Sequence, residues 1–333
     1  MGEYIMKKKY FVTGGSGFIG SALVKKLVSF GNFVRVMDNS SRGDVSRLAT
    51  VLKDIEYVEG DIRNLVEVKK LCKGIDSVCH LAYINGTEFF YSRPHEVLEV
   101  GVKGIMNVLE GCIEHDVPEL LLMSSSEVYQ TPATIPTDES IPLLVPDPLK
   151  PRYSYGGGKI ISELLAINYG RKYFERSLII RPHNVYGGAM GYEHVLPQFI
   201  TRMCELTDQF SEGVIKFPIQ GDGNETRSFV YIDDFINGVQ IVLDKGDNLG
   251  IYHIGTQDEV NIKEVARKVA DCFARKIEIV PGKLQEGGTK RRCPNISKVT
   301  ALGYCPEISL SEGLIKTTQW YRDDFQKKRG VKK

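Results

Sequence analysis

The chain carries almost no surplus charge: 43 basic side chains face 42 acidic ones over 333 residues, for a formal net charge of +1. Nucleic acids and membrane surfaces select proteins with a basic face, so neither is an expected partner. The one basic run, the terminal QKKRGVKK, reads as a solvated end. Paired cysteines are missing as well. The seven (Cys72, Cys79, Cys112, Cys204, Cys272, Cys293, Cys305) are scattered with no CxxC spacing. That leaves a zinc site or dithiol motif without support, and no metal is expected. Cys79, inside SVCHLA, reads as a small buried hydrophobe. The start has neither the apolar core of a signal peptide nor a spanning helix, and Gly2 lacks the following Ser or Thr of a myristoylation site. A cytoplasmic protein is expected. No internal repeat or low-complexity linker interrupts the chain.

What is present is an ordinary globular composition, 42% hydrophobic and 26% charged. The length suits one large domain or two intimate ones. Short apolar runs alternate with amphipathic segments through the first half, the pattern of a doubly wound parallel sheet flanked by helices. Strands are predicted at 10–14, 33–38, 55–60, 77–82, 120–125 and 177–182, and helices near 18–30, 64–73, 95–115 and 155–174. The Pro-rich segment 132–151 reads as a loop. After Asn184 the elements shorten: a helix in VLPQFITRMCEL, a strand running into a helix in FVYIDDFINGVQIVL, a strand in IYHIG, and a helix opened by Asn261 as cap. The division expected is an α/β domain over 7–183 and a smaller α/β portion over 184–325, interleaved with the first. A ligand cleft belongs beyond the carboxyl ends of the strands.

Residues 14–20, GGSGFIG, stand directly between a strand and a helix. Gly14, Gly17 and Gly20, with Phe18 and Ile19 opening the helix, permit a tight turn that brings backbone N–H groups up to a pyrophosphate. Asp38 ends the next strand, followed by Asn39, where a carboxylate accepts from a ribose diol. It would repel a 2′-phosphate, which favours NAD over NADP, although Arg42 nearby could accommodate that phosphate. Asp61, followed by Ile62, ends the third strand and suits an adenine edge, or is an exposed turn acid.

Tyr155 and Lys159 are four apart and share a helix face. A cation beside a phenol lowers its pKa and makes it usable as a base. Ser124, Ser125 and Ser126 end a predicted strand at the sheet's carboxyl edge, where a hydroxyl can bind a reacting oxygen. Between Tyr155 and Lys159 stand Gly156, Gly157 and Gly158, each costing about 1 kcal/mol relative to alanine inside a helix.

GGSGFIG, Asp38 in VMDNSSRG, GDI, HLA, SSSEVY, Tyr155-x-x-x-Lys159, RPHNVYG and GDGNETRSFVYIDD follow one another in order from residue 10 to about 320. In this the chain resembles the extended short-chain dehydrogenase/reductase family, in its nucleotide-sugar epimerase/dehydratase branch. The resemblance implies a Rossmann domain holding NAD, with Leu81, Ala82 and Pro182 among its contacts, and a smaller domain gripping a sugar nucleotide. It implies that Tyr155 takes the proton of the sugar's C4 hydroxyl while hydride passes to the nicotinamide. Lys159 would bind the nicotinamide ribose and depress the tyrosine, and Ser125 would be the catalytic hydroxyl. Asn184, Arg227 and Arg292 match positions that hold the diphosphate, and Phe217 with Pro218 would line the base pocket. A homodimer through the helices near 95–115 and 155–174 is also implied. His80 and His183 are read as satisfied structural histidines.

The 4-keto sugar is a branch point. A simple 4-epimerase returns the hydride to the other face; a 4,6-dehydratase also removes the C5 proton and expels the C6 hydroxyl, for which a carboxylate base is suited. Glu127 sits where dehydratases and UDP-glucuronate decarboxylases carry theirs, or is a salt-bridged supporting acid. Ser126 stands where dTDP-glucose dehydratases have Asp, against the substrate. The loop YINGTEFFYSRP is unlike the decarboxylases' small, proline-rich one. Other departures are Gly101 for the usual Asn, Ile105 for Thr, Gln130 for Gly, Gly188 for Pro, and Gly157-Gly158 in a motif commonly Tyr-Gly-x-Ser-Lys. Gly157 and Gly158 are read as places where the helix start approaches cofactor, substrate or a partner helix. Oxidation at C4 alone, or a non-catalytic NAD-binding sensor or scaffold, are the alternatives; the intact Ser125, Tyr155 and Lys159 argue against the last.

Overall fold

The computed structural model describes residues 7–283 and 289–330. Gly2 and the last three residues of the basic tail lie outside the described residues. Six strands come first: β1 (Lys9–Thr13), β2 (Phe33–Asp38), β3 (Ile55–Glu59), β4 (Ser77–His80), β5 (Glu119–Met123) and β6 (Arg176–Pro182). They alternate with helices α1 (Phe18–Ser29), α2 (Leu65–Cys72), α3 (Thr87–Ser92), α4 (Pro94–Leu98), α5 (Gly104–Glu114) and α6 (Ser154–Tyr173). All pair in parallel, in the order β6-β5-β4-β1-β2-β3. Helices cover both faces, which is why strands such as β5, ELLLM, are buried at every residue instead of alternating.

The strand order reverses between β1 and β4, and a crevice opens there beyond the carboxyl ends. After β7 (Val185–Tyr186) the chain builds α7 (Val195–Gln209), β8 (Ile215–Ile219), β9 (Thr226–Ser228), β10 (Val230–Tyr231) and α8 (Ile232–Lys245). It then returns to the large sheet: IYHIG supplies β11 (Ile251–Ile254), paired in parallel with β6 as the seventh strand. The apolar run that marked it as a strand is buried there between layers. Asn261 caps the next helix, its side chain accepting from the Glu264 N–H at 2.8 Å. Among the described residues no helix is long and apolar enough to cross a membrane.

One expected element differs. The segment read as a single helix near 95–115 is α4, then a π-helical turn over Glu99–Lys103, then α5. A π turn admits an extra residue and is a frequent companion of functional sites. It carries Gly101.

Behind the crevice a chain of buried polar groups ties the sheet to α6. Arg181, on β6, makes two hydrogen bonds to Glu163 of α6, at 2.6 and 2.9 Å. These side chains are only 2% and 1% exposed. The Ser124 hydroxyl donates to Glu163 at 2.5 Å, and Arg181 also donates to the Tyr129 hydroxyl. That phenol meets Nε2 of His253, on β11, at 2.7 Å. Such a pair gains little over apolar packing but is costly to break singly. Arg181→Met is therefore expected to destabilise the fold by about 3–5 kcal/mol, with Arg181→Met/Glu163→Leu recovering most of the loss. Equal losses in urea unfolding of the two proteins would refute the assignment.

Three histidines at the strand ends are held neutral. Burial pushes His80 and His253 down to about 3, from an ordinary 6.5, and drives His183 well below it. Below pH 6.5 the unfolded chain takes up protons that the native state refuses, so stability is full above that pH and falls as pH drops toward 3. Each histidine adds a slope of about 1.4 kcal/mol per pH unit. Unfolding followed at pH 7 and at about pH 5 should show the loss before most carboxylates titrate; a flat profile would contradict it.

Candidate active site

The crevice, about 480 Å³ in volume, is bounded by the ends of β1, β4, β5 and β6 and by the loop after β7. That is within the usual range for ligand clefts, roughly 300–1,000 Å³. On one side lies the turn before α1. Gly14 has a left-handed φ of +71°, and a Cβ there would stand 2.8 Å from the Ala82 backbone. A Cβ on Gly20 would fall 2.1 Å from the Gly14 carbonyl oxygen. Helix α1 has Gly17 at its N-cap and no side-chain cap, so its first N–H groups face the crevice. Asp38 accepts from the Ser16 and Ser40 N–H groups at 3.0 and 2.9 Å. An uncapped helix start, a glycine turn that admits no side chain, and a fixed carboxylate at the end of β2 fit a dinucleotide.

Every cofactor residue expected from the sequence lines this crevice except Asp61. Asp61 is held by Arg63 at 2.7 and 3.0 Å and lowered to about 2 by those bonds; Ile62 beside it faces the crevice. Arg42 is engaged by other groups. It pairs with Glu193 and stacks over the Phe89 ring at 4.9 Å.

Ser125, Tyr155 and Lys159 meet at the end of β5. The Tyr155 ring stacks on Phe90 at 4.7 Å and takes the edge of Tyr83 at 5.2 Å. Burial pushes its phenol up to about 12, against which the hydrogen bond with Ser125 pulls down. The expected depression by Lys159 is not found. That ammonium lies 5.8 Å from the Tyr155 ring centre and donates to the Met123 carbonyl at 2.7 Å. Burial lowers Lys159 itself to about 7, with Glu163 opposing.

Across the crevice Arg292 donates to Glu127 at 2.6 Å. Burial alone would raise Glu127, but the charge and hydrogen bond of Arg292 carry it below the ordinary carboxylate value. Ser126 and Asn184 also line the crevice, Asn184 donating its amide to the Ser228 carbonyl at 2.8 Å. Arg227 does not line it: its guanidinium is taken up by the carbonyls of Thr226 and Thr289, and burial lowers it to about 10. Phe217 does not face the crevice either. It lies on the inward side of β8, fully buried, with its ring against Phe199 at 5.2 Å. His80 meets the Thr13 hydroxyl at 2.8 Å. His183, expected to be satisfied, has no partner on either ring nitrogen among the described residues and abuts the His253 ring at 4.6 Å.

Of the three glycines after Tyr155, only two answer a close approach. A Cβ on Gly156 would stand 2.5 Å from Gln130 Nε2, and one on Gly158 2.2 Å from the Tyr83 hydroxyl. Gly157 meets nothing nearer than Val145 at 3.5 Å, an ordinary contact. Sequence reasoning missed Tyr83; its signal was the side chains absent at Gly101 and Gly158.

Comparison with known proteins agrees with this geometry. The chain is 30% identical to a UDP-N-acetyl-alpha-D-glucosaminuronate decarboxylase of Bacillus cytotoxicus, over 96% of this chain and 99% of that protein. It is 31% identical to a putative UDP-glucose 4-epimerase of Methanocaldococcus jannaschii, over 94% and 98%. The solved structure of DesIV, a dTDP-glucose 4,6-dehydratase from Streptomyces venezuelae with NAD and TYD bound, superposes with a TM-score of 0.84 at 28% identity, over 97% of this chain and 100% of that one. Residues 10–255 match the model of one family throughout, and the chain belongs to that family, the NAD dependent epimerase/dehydratases.

Proposed function

We propose that the protein uses NAD to oxidise a nucleotide-diphosphate sugar at C4 and then dehydrates or epimerises the 4-keto sugar. The observation that carries this reading is the convergence of Ser125, Tyr155 and Lys159 beside an uncapped helix start in one crevice. NAD supplies the hydride acceptor. Tyr155 receives the C4 hydroxyl proton, and Ser125, bonded to that phenol, orients the same oxygen. Burial pushes the Tyr155 phenol up to about 12, so positive charge close to it is what makes it usable as a base near neutral pH.

Glu127 favours dehydration over simple epimerisation. Arg292 keeps it ionised, and a carboxylate base is what removal of a C5 proton next to a ketone requires. Arg292 is one of several cations lining the crevice, and its fork suits the diphosphate. A homodimer through α5 and α6 is supported by apolar side chains left on their outer faces: Met106 and Ile161 are 41% exposed and Leu164 55%.

Mass spectrometry of the protein with a panel of UDP-, GDP-, CDP- and dTDP-sugars tests the reading. A product lighter by one water is expected. Unchanged mass with solvent deuterium incorporated would mean epimerisation through an enolised ketone. Loss of two hydrogens with reduced cofactor would mean C4 oxidation alone, and loss of carbon dioxide from a uronate would align the chain with decarboxylating relatives. Tyr155→Phe should lower turnover about 10²- to 10⁴-fold while cofactor binding persists. Full cellular function with Tyr155→Phe would make the protein a sensor instead. Glu127→Gln should halt water loss and leave C4 oxidation running; unimpaired dehydration would remove Glu127 from the chemistry.

A further inference from the structure

Tyr83 follows directly on the His80-Leu81-Ala82 strand end and reaches between two helical segments. Its ring lies flat on Gly101: a Cβ there would be 2.2, 2.3 and 2.4 Å from three atoms of the phenol. Its hydroxyl abuts Gly158 on α6, where a Cβ would come within 2.2 Å. Gly101 sits in the π-helical turn Glu99–Lys103, so two separate elements have each given up a side chain at the same ring. The hydroxyl is buried and has no hydrogen-bond partner among the described residues, so the ring is not held there by its polar end.

The ring is not idle. The Lys159 ammonium lies 3.9 Å above its centre, and its edge meets the Tyr155 ring at 85°. We propose that Tyr83, Gly101 and Gly158 form one unit that positions Lys159, the tyrosine occupying the space of two absent side chains so that its face holds the ammonium beside Tyr155. Tyr83 is thus a positioning residue, and its role rests on the reading of Tyr155 and Lys159 as the oxidising pair. The physics is that of a cation over an aromatic face in a dry site, an attraction that favours the charged amine. The other groups facing Lys159 are Glu163 and Tyr155 on its own helix, His80 at the end of β4, and the Met123 carbonyl of β5. Glu163 opposes the effect of burial on Lys159, and none of the others supplies a negative charge at neutral pH. The ring, 3.9 Å from the ammonium, therefore joins the Glu163 carboxylate and the Met123 carbonyl in supporting its charge.

The test reads Lys159 itself. The full chain, labelled with carbon-13 at the lysine ε-carbons, is titrated by NMR, with the Lys159 signal assigned by its loss in Lys159→Arg. Tyr83→Leu should lower the Lys159 midpoint by about one pH unit. Tyr83→Phe, which keeps the face and drops the orphan hydroxyl, should restore it. A wild-type midpoint in Tyr83→Leu would overturn the proposal, as would a Tyr83→Phe midpoint as low as that of Tyr83→Leu. A thermal cycle covers the case in which a Tyr83 variant folds poorly. Gly158→Ala should lower Tm in the native background and cost markedly less beside Tyr83→Ala, whereas Gly157→Ala should not lower Tm. Strictly additive losses for Gly158→Ala and Tyr83→Ala would contradict the shared space. Neither readout needs a sugar, so a failure to find turnover with any nucleotide sugar would fault the proposed reaction and leave this result standing.

Discussion

The buried pair of Arg181 and Glu163 is the constraint on which the active site rests. Glu163 stands four residues after Lys159, one turn further along α6, and Arg181 stands one residue before Pro182 at the end of β6. Their two hydrogen bonds fix how α6 lies against the sheet. The same carboxylate holds Ser124, the residue before the Ser125 hydroxyl that bonds Tyr155. An apolar contact could slide by an ångström at little cost. A desolvated guanidinium facing a desolvated carboxylate cannot, because any misalignment leaves charge unpaired. The pair adds little net stability of its own. Its contribution is to give strand end and helix one relative position.

From that position the electrostatics of the crevice follow. Lys159 is carried into a dry place where its charge is only marginally kept, and Tyr155 into one where its proton is held tightly. Neither charge is favoured by its surroundings. Glu127 is the exception, since Arg292 maintains its charge against burial. One wall of the crevice thus holds an ionised carboxylate, and the other a tyrosine whose proton burial retains and a lysine whose charge burial opposes.

Much of this was legible in the sequence. Parallel strands buried on both faces appear as continuous apolar runs, and the glycine turn with its following acid is a local pattern that no tertiary contact overrides. Asn261 as a helix cap is local for the same reason. Other features were hidden because they depend on neighbours distant in the chain. IYHIG looks like any short strand until its pairing with β6 is known. Phe217 precedes a loop motif, but which side of β8 it faces is set by packing against Phe199. The depression of Tyr155 by Lys159 followed from spacing alone, yet spacing fixes a helix face and not where a long side chain ends. Three consecutive glycines announce a close approach without saying to what: Gly156 answers to Gln130 and Gly158 to Tyr83, both distant in the chain, while Gly157 answers to nothing close.

The most direct test of C4 oxidation by this site is rapid mixing of the NAD-loaded protein with its nucleotide sugar while the absorbance of reduced nicotinamide is followed. Hydride transfer to the cofactor, driven by loss of a proton to Tyr155, should appear as a transient reduction that precedes product and vanishes in Tyr155→Phe. Product formed with no transient, or with an undiminished transient in Tyr155→Phe, would contradict the assignment of Tyr155 as the group that begins the reaction.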